Sequence, residues 1–203
     1  MKKALIINAH HHYPFALGKL NAALAGKIEA FLLGKGYEVK STIVDSGYDI
    51  EEEIQKHLWA DLLILQSPVN WMNTSWTMKK YMDEVYTSAM GQGIFCEGDG
   101  RHSAHPKENY GEGGKLKDKN YMLSLTLNAP QEAFDNPDEY LFQGKGLDDL
   151  FLPLHATYRF FGMSPLPTFA CYDVTKNPAV ENDFKRLEMH LEKVCALLSS
   201  GLG

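Results

Sequence analysis

Runs of apolar residues recur along the chain at lengths that predict five β-strands. The run at 61–65 is apolar at consecutive positions, which is typical of a central parallel strand buried on both faces. Residues 37–44 alternate apolar and polar side chains instead, which predicts a strand with one more exposed face. The five predicted strands cover residues 3–8, 37–44, 61–65, 121–127 and 168–174.

Segments with helical periodicity separate these strands. The last of them repeats apolar residues at spacings of three and four, which predicts a helix whose apolar stripe belongs to the core. That stripe consists of Phe184, Leu187, Leu191, Val194 and Leu198. An earlier segment contains Pro153, which predicts an interruption of its helix. The five predicted helices cover about 20–33, 50–58, 74–90, 147–161 and 180–198.

The alternation of strands and helices predicts an α/β fold with a doubly wound parallel sheet covered by helices on both faces. Nothing in the composition divides the chain, so we expect one domain over residues 1–203. The segment at about 91–120 lacks periodicity, and a loop of that length is usually functional. Ligands of such sheets bind beyond the carboxyl ends of the strands, which directs attention to the loops after strands one, three and four.

Composition narrows the class of partner. The formal net charge of −6 argues against a general affinity for nucleic acid or anionic membranes, and no apolar run approaches the length of a membrane span. The three cysteines, Cys96, Cys171 and Cys195, are widely spaced and form neither a disulfide framework nor a CxxC motif. We therefore expect a cytoplasmic protein with a small molecule or a protein as its partner.

The loop after strand one, residues 8–21, offers a place for a phosphate. It matches neither the Walker A nor the GxGxxG motif. Gly18, Lys19 and Asn21 nevertheless lie where a helix begins, and free backbone N–H groups there suit a phosphate or pyrophosphate.

The same loop contains three consecutive histidines, His10, His11 and His12. Side chains of adjacent residues on an extended chain point in alternating directions, and no acidic residue or cysteine accompanies these histidines nearby. We therefore predict no metal site. Histidines that line a cofactor and histidines that lie in solvent both remain open interpretations.

The loops after strands three and four suit a planar ligand. Pro68 rigidifies the first loop, Asn70 offers an amide, and Trp71 and Met72 offer a flat and a polarizable surface. The alternative is that Trp71 and Met72 cap the sheet as core residues. After strand four, the segment 126–130 adds hydrogen-bonding groups before a proline. Together the two loops suit a hydrogen-bonding ring such as an isoalloxazine, and Tyr110 in the long loop is a further candidate for contact with it.

Three stretches of the sequence resemble one enzyme family. They are SPVNWMN followed by WTMKKYMDEV, the stretch KNYMLSLTLNAPQEAF, and LPLHATYRFFGMSPLPTF. In this combination they are similar to the NAD(P)H:quinone oxidoreductases of flavodoxin-like fold. The resemblance runs from strand one to the last helix and implies a five-stranded sheet of order 2-1-3-4-5.

The resemblance implies a homodimeric flavoprotein with bound FAD, FMN being the less favoured flavin, and with the flavin site at the subunit interface. In such an enzyme NADPH delivers a hydride to the flavin, which passes it to a quinone in a ping-pong reaction. Tyr110 would reach the flavin of a partner subunit. The implied phosphate contacts are Ala16, Leu17, Gly18, Lys19, Leu20, Asn21, Ala22 and Ala23. The implied isoalloxazine contacts are Pro68, Val69, Asn70, Trp71, Met72, Thr126, Leu127, Asn128 and Ala129.

Two features of this sequence depart from the animal members of the family. Asn128 and Ala129 stand where those enzymes have a glycine pair, and the segment 130–144 has no histidine where those enzymes have a tyrosine and a histidine. We therefore assign no catalytic residue and leave the chemistry to the flavin. The proton for quinone reduction would then come from solvent or from the nicotinamide nucleotide.

Three other functions remain as alternatives. One is a flavodoxin-type electron carrier with FMN, although residues 8–23 lack the serine and threonine that phosphate loops of such carriers usually have. Another is an FMN-dependent azo or nitro reductase. The last is a flavin-free signalling or binding module on the same fold. A phospho-receiver of that kind would need paired acidic residues after strand one, where this chain has Asn8, Ala9 and His10.

Overall fold

A parallel β-sheet runs through the protein, for which a computed structural model describes residues 2–200. Its strands lie in the order β2-β1-β3-β4-β5, and the short strand β6 also pairs with β4. The expected strand order is therefore confirmed. The strands are β1 (Lys3–Asn8), β2 (Glu38–Ile43), β3 (Leu62–Pro68), β4 (Asn120–Thr126), β5 (Ser164–Pro165) and β6 (Phe169–Cys171).

Seven α-helices cover the two faces of this sheet across the described part of the chain. They are α1 (Lys19–Gly34), α2 (Ile50–Trp59), α3 (Trp76–Tyr81), α4 (Thr87–Gly91), α5 (Leu147–Leu150), α6 (Leu152–Phe160) and α7 (Val180–Ser200). None of them is long and apolar enough to cross a membrane.

Strand β1 shows how the sequence builds two cores. Successive side chains of a strand point to opposite faces. Ala4 and Ile6 accordingly pack with the apolar stripes of α1 and α7, whereas Leu5 and Ile7 pack with residues of the helices on the other face. All four side chains are almost fully buried, as the unbroken apolar run predicts.

The structure differs from the predicted elements in two places. The predicted strand at 168–174 is shorter in the structure, where β6 covers only Phe169–Cys171. A separate short strand, β5, precedes it, and prolines 165 and 167 interrupt the pairing between the two because proline cannot donate a hydrogen bond to a neighbouring strand. The predicted helix at 74–90 begins at Trp76, because the Ser75 hydroxyl accepts a hydrogen bond from the N–H of Met78 and caps it. A π-helical segment, Met82–Tyr86, joins α3 to α4.

The long segment between α4 and β4 is anchored at both ends. Phe95 and Leu116 are buried, and the N–H of Lys115 donates to the carbonyl of Phe95 at 2.9 Å. At Gly114 the chain approaches the backbone of Phe161 so closely that a Cβ would lie 2.2 Å from it. The tip of the segment is exposed, and it carries Tyr110 with 72% of its surface accessible.

Candidate functional site

Four polar side chains form a buried network where β3 and β4 reach their carboxyl ends. Gln66 donates from Nε2 to Oδ1 of Asn21 at 2.8 Å and accepts at Oε1 from the hydroxyl of Ser124 at 2.7 Å. Asn21 in turn donates from Nδ2 to Oγ1 of Thr126 at 3.2 Å. Since buried polar groups are costly when unpaired, this network fixes the start of α1 relative to the ends of β3 and β4.

Two members of this network, Asn21 and Thr126, were predicted as site residues, and two were missed. Gln66 and Ser124 are polar residues within strands that are otherwise apolar, and they lie opposite each other in the register of β3 and β4. A polar pair at matched positions of neighbouring buried strands is the sequence signal that would have found them.

The start of α1 is open toward solvent and lacks a side-chain cap. Gly18 takes the N-cap position with φ of 73°, in the left-handed region that favours glycine. The Nε2–H of His10 donates to the carbonyl of Ala16 at 3.0 Å, and a Cβ on Gly18 would lie 2.3 Å from the His10 ring. The loop therefore requires glycine at position 18 both for its positive φ and for the close approach of the His10 ring. The loop also leaves the first N–H groups of α1 available for an anion.

The remaining predicted residues of this segment surround that helix start. Leu20 is half-buried against the core. Ala16 is also half-buried, whereas the other side chains are exposed, namely Leu17, Lys19, Ala22 and Ala23.

The neighbouring histidines join the loop to the end of β2. His11 approaches the carboxylate of Asp45 at 2.5 Å through Nδ1, and the backbone N–H of His12 donates to the other carboxylate oxygen at 3.0 Å. The hydrogen bond from His11 holds the pKa of Asp45 below its usual range. Burial lowers the pKa of His10 itself, so the loop favours the neutral imidazole at that position.

The connection after β3 is a tight turn with an unusual composition. The N–H of Asn70 donates to the carbonyl of Asn73 at 2.7 Å, and the N–H of Asn73 donates back at 3.0 Å. Trp71 and Met72, the two residues between them, have φ of 49° and 63°. Turns with both central residues in the left-handed region usually carry Asn-Gly or Asp-Gly, because the conformation costs roughly 1–2 kcal/mol for other residues.

The side chains of this turn are not core residues. Trp71 is 96% exposed and Met72 is 43% exposed. The alternative that they cap the sheet as core is therefore wrong. Strained residues with exposed apolar side chains are typical of a site that contacts a ligand or a partner.

The segment after β4 is held by backbone and side-chain contacts to its neighbours. The carbonyl of Thr126 accepts from the N–H of Val69 at 2.9 Å, and the N–H of Leu127 donates to the carbonyl of Cys171 at 2.9 Å. Asn128 is exposed, and its side-chain oxygen accepts from the hydroxyl of Thr175 at 2.5 Å. The end of β4 is thus fixed to the turn after β3 on one side and to β6 on the other.

Tyr110 lies at the edge of a cavity of about 720 Å³ between the long segment, the π-helical segment and α6. We call this the first cavity. Asn73 and Thr74, directly after the strained turn, line it as well, and the Tyr110 and Phe160 rings meet edge to face with centroids 6.0 Å apart. Its other lining residues include Lys79, Met82, Tyr86, Met90, Leu154 and Arg159.

The structure thus brings most predicted residues to one edge of the sheet but divides them into two groups. In the first group, the side chain of Asn21 donates to the hydroxyl of Thr126, and the backbone N–H of Val69 donates to the carbonyl of Thr126. Tyr110 belongs to the second group and lies at the edge of the first cavity. A second cavity of about 770 Å³, near α5, α6 and β5, is lined by none of the predicted residues.

A protein-family model described as flavodoxin-like fold matches residues 2–195. The chain therefore belongs to this family of flavodoxin-like proteins. It is 46% identical over 190 residues to the NADPH:quinone oxidoreductase MdaB of Haemophilus influenzae, a match that covers 94% of this chain and 97% of that protein. The expected resemblance to quinone oxidoreductases is confirmed by this similarity.

Solved structures show the same architecture. A protein of Klebsiella pneumoniae that is provisionally named a quinone reductase has a TM-score of 0.77 and 26% identity, and the match covers 96% of this chain and 85% of that protein. General stress protein 14 of Treponema denticola, solved in complex with FMN, has a TM-score of 0.65 and 16% identity over 97% of this chain and 99% of that protein. At that identity the second likeness shows the fold alone.

Proposed function

We propose that this protein is a flavin-dependent NAD(P)H:quinone oxidoreductase. The observation that carries the proposal is the carboxyl edge of the sheet, where the start of α1 and the strained, exposed Trp71-Met72 turn are connected through the hydrogen bonds that Asn21 and Val69 make to Thr126. The high identity to a relative of that name over nearly its whole length supports the same activity.

The residues at the start of α1 fit the phosphates of a flavin. Their backbone N–H groups lack a side-chain cap, and Lys19 adds a positive charge beside them. The half-buried His10 shapes the loop, and its ring occupies the space that a side chain at position 18 would need.

The residues after β3 and β4 fit the isoalloxazine ring. Trp71 is 96% exposed and Met72 is 43% exposed, and a flat ring would bury part of this apolar surface. Asn70 and Asn128 offer side-chain amides at the same edge, and the backbone of 126–129 offers further polar groups.

When bound, the flavin would accept a hydride from NADPH and pass it to the quinone in a second half-reaction. The chain itself would bind and orient the reactants. The first cavity is large enough for a quinone or a nicotinamide ring, and its apolar lining from Met82, Tyr86 and Leu154 would exclude water from them. Tyr110 and Asn73 would orient a carbonyl oxygen from the rim of that cavity.

A second copy of the chain is the partner we propose for the exposed apolar surface. Trp71, Trp76 and Tyr110 are 96%, 59% and 72% exposed, and patches of this kind usually mark an interface. In a homodimer, Tyr110 would approach the flavin of the partner subunit. The free thiols of the chain and the use of NADPH favour the cytoplasm as its compartment.

FAD is the flavin we favour, although a structural neighbour holds FMN. The Tyr13 and Phe15 rings stack with centroids 5.2 Å apart beside the proposed phosphate loop, and Phe15 is 87% exposed. An adenine ring could stack on this surface, which an FMN would leave bare. An FMN-dependent azo or nitro reductase is the second candidate.

The experiment is to purify the protein, release its cofactor by denaturation and identify it, and then follow NADPH oxidation with menadione. We expect a yellow protein that releases FAD and oxidises NADPH continuously only when the quinone is present. Release of FMN together with faster reduction of azo dyes would favour the second candidate. A colourless protein that neither FAD nor FMN restores would contradict the proposal.

A further inference from the structure

A hydrogen-bonded chain of three side chains lies apart from the proposed flavin site. The hydroxyl of Tyr121 in β4 lies 2.8 Å from Nδ1 of His155 in α6, and Nε2 of His155 lies 3.2 Å from a carboxylate oxygen of Asp148. A carboxylate can only accept, so Nε2 carries a hydrogen, and in that tautomer the Tyr121 hydroxyl donates its hydrogen bond to Nδ1. Tyr121 is fully buried and His155 is 5% exposed.

This chain ends at the second cavity. His155 and Asp148 line that cavity together with Arg159, Thr168 and Tyr172. Asp148 is exposed to solvent there. A proton that reached His155 would therefore have a route to water that does not pass through the proposed flavin site.

Two further tyrosines connect Tyr121 to the first cavity. Tyr86 lines that cavity, and its hydroxyl lies 3.4 Å from the hydroxyl of Tyr158 with ring centroids 6.2 Å apart. The rings of Tyr158 and Tyr121 follow at 4.6 Å. Three buried aromatic rings in sequence thus connect the first cavity to His155, which lines the second.

The three tyrosines differ in whether a base is present to accept the phenolic proton. An oxidised phenol becomes a very strong acid, so oxidation of tyrosine is easy only where a base accepts the proton at once. The hydroxyls of Tyr86 and Tyr158 face each other, and neither is a good base. Tyr121 alone among the three has an imidazole as its partner, and that imidazole is in turn paired with a carboxylate.

We propose that Tyr121 is a redox-active tyrosine that removes oxidising equivalents from the first cavity. Tyr121 would lose one electron, which would pass through the intervening rings of Tyr158 and Tyr86 by tunnelling without oxidising either of them. An oxygen-centred organic radical in the first cavity, such as a peroxyl radical, would take up that electron and one proton from water, and would become a hydroperoxide while hydroxide is released. Tyr121 would end as a neutral radical, with its proton on Nδ1 of His155 and the imidazolium paired with Asp148.

The raised pKa of each phenol agrees with a transfer that starts from a neutral phenol. Burial raises the pKa of Tyr121 to about 12 and raises the pKa of Tyr86 and Tyr158 further still. All three are therefore neutral phenols at physiological pH, and none can lose an electron as a phenolate. The transfer then depends on the base that only Tyr121 contacts.

The test uses an external oxidant, so it does not depend on the flavin. Photogenerated tris(bipyridine)ruthenium(III) is mixed with the purified protein, and radicals are recorded by electron paramagnetic resonance with histidine labelled by heavy nitrogen. We expect a neutral tyrosyl radical with a coupling to an imidazole nitrogen. The signal should persist in Tyr140→Phe, a control that alters a tyrosine with 89% exposure, and should be lost in Tyr121→Phe.

Three results would overturn the assignment. One is the absence of a tyrosyl radical in the wild type, and another is a radical without coupling to histidine nitrogen. The third is a signal that Tyr121→Phe leaves unchanged. The nitrogen coupling is measured on the unaltered protein, so this part of the test does not depend on the folding of Tyr121→Phe.

Discussion

Two connections at the same edge of the sheet differ in how they are held in place. The loop after β1 pairs two of its histidines within the chain, His10 with the carbonyl of Ala16 and His11 with Asp45. The turn after β3 leaves Trp71 and Met72 exposed, and it holds both in a backbone region that suits neither.

The difference indicates how each connection would contribute to binding. The loop after β1 is organised before any ligand arrives, so it offers its helix start at little further cost in entropy. The turn after β3 carries strain and uncovered apolar surface, both of which a bound ring or a partner chain would compensate. The loop after β1 should therefore determine whether a flavin binds, and the turn after β3 should determine how tightly the flavin ring is held.

The largest expected effect comes from Gly18→Ala. The new Cβ would lie 2.3 Å from the His10 ring, and φ of 73° adds roughly 1–2 kcal/mol of strain. We expect flavin affinity to fall by more than tenfold, as measured by equilibrium dialysis, together with a lower free energy of unfolding. Gly26→Ala on the same helix is the control, since its Cβ meets nothing within 4 Å. Equal effects of the two substitutions would show that the helix start has no special role.

Asn21→Ala tests the network that joins the two connections. It would leave Nε2 of Gln66 and the hydroxyl of Thr126 without their present partners in a buried place, which costs about 1–3 kcal/mol. Denaturant unfolding should show this loss, whereas Asn182→Ala on the exposed face of α7 should stay within about 0.5 kcal/mol of the wild type. An unchanged midpoint for Asn21→Ala would mean that the network does not hold the edge together.

The turn can be tested by making it conventional. Replacing Trp71 with Asn and Met72 with Gly supplies the residues that its backbone prefers, and we expect a gain in stability of about 1 kcal/mol or more. Flavin affinity should fall about tenfold, or about 1.4 kcal/mol, because the apolar surface is lost. A variant that is more stable and binds flavin as tightly as the wild type would remove the turn from the site.

The smallest expected effect is a pH dependence at His10. Its pKa is lowered in the folded protein, so on acidification the unfolded chain takes up a proton first, near pH 6.5. The free energy of unfolding should therefore fall as pH drops below that value, and His10→Gln should show a shallower fall. Chemical denaturation at a series of pH values measures this, and parallel curves for the two proteins would contradict it.

The sequence predicted the fold well because its signals are local. Unbroken apolar runs in β1 and β3 and the stripe on α7 each follow from periodicity alone, and the strand order followed from the family resemblance. Two departures follow from features that apolar periodicity does not capture. Prolines 165 and 167 separate β5 from β6, which is shorter than the predicted strand, and the sequence MDEVY does not distinguish a π-helical segment from an α-helix.

The site was harder to predict than the fold. Loop position and the resemblance identified Asn21 and Thr126, but their hydrogen bond joins residues 105 positions apart. Gln66 and Ser124 were missed because the hydrogen-bond partner of a polar residue in a buried strand can be identified only when the neighbouring strand and its register are known. The exposure of Trp71 was likewise not decidable, since an indole after a buried strand suits the core equally well.

The central claim is that a flavin binds against the turn after β3. The most direct measurement is a titration of flavin-free protein with FAD, followed by tryptophan fluorescence, for the wild type and Trp71→Phe. We predict saturable quenching at a single flavin per chain, most of which disappears in Trp71→Phe while Trp59 and Trp76 remain. Absence of saturable quenching with FAD and FMN, or the same fractional quenching in both proteins, would contradict the account.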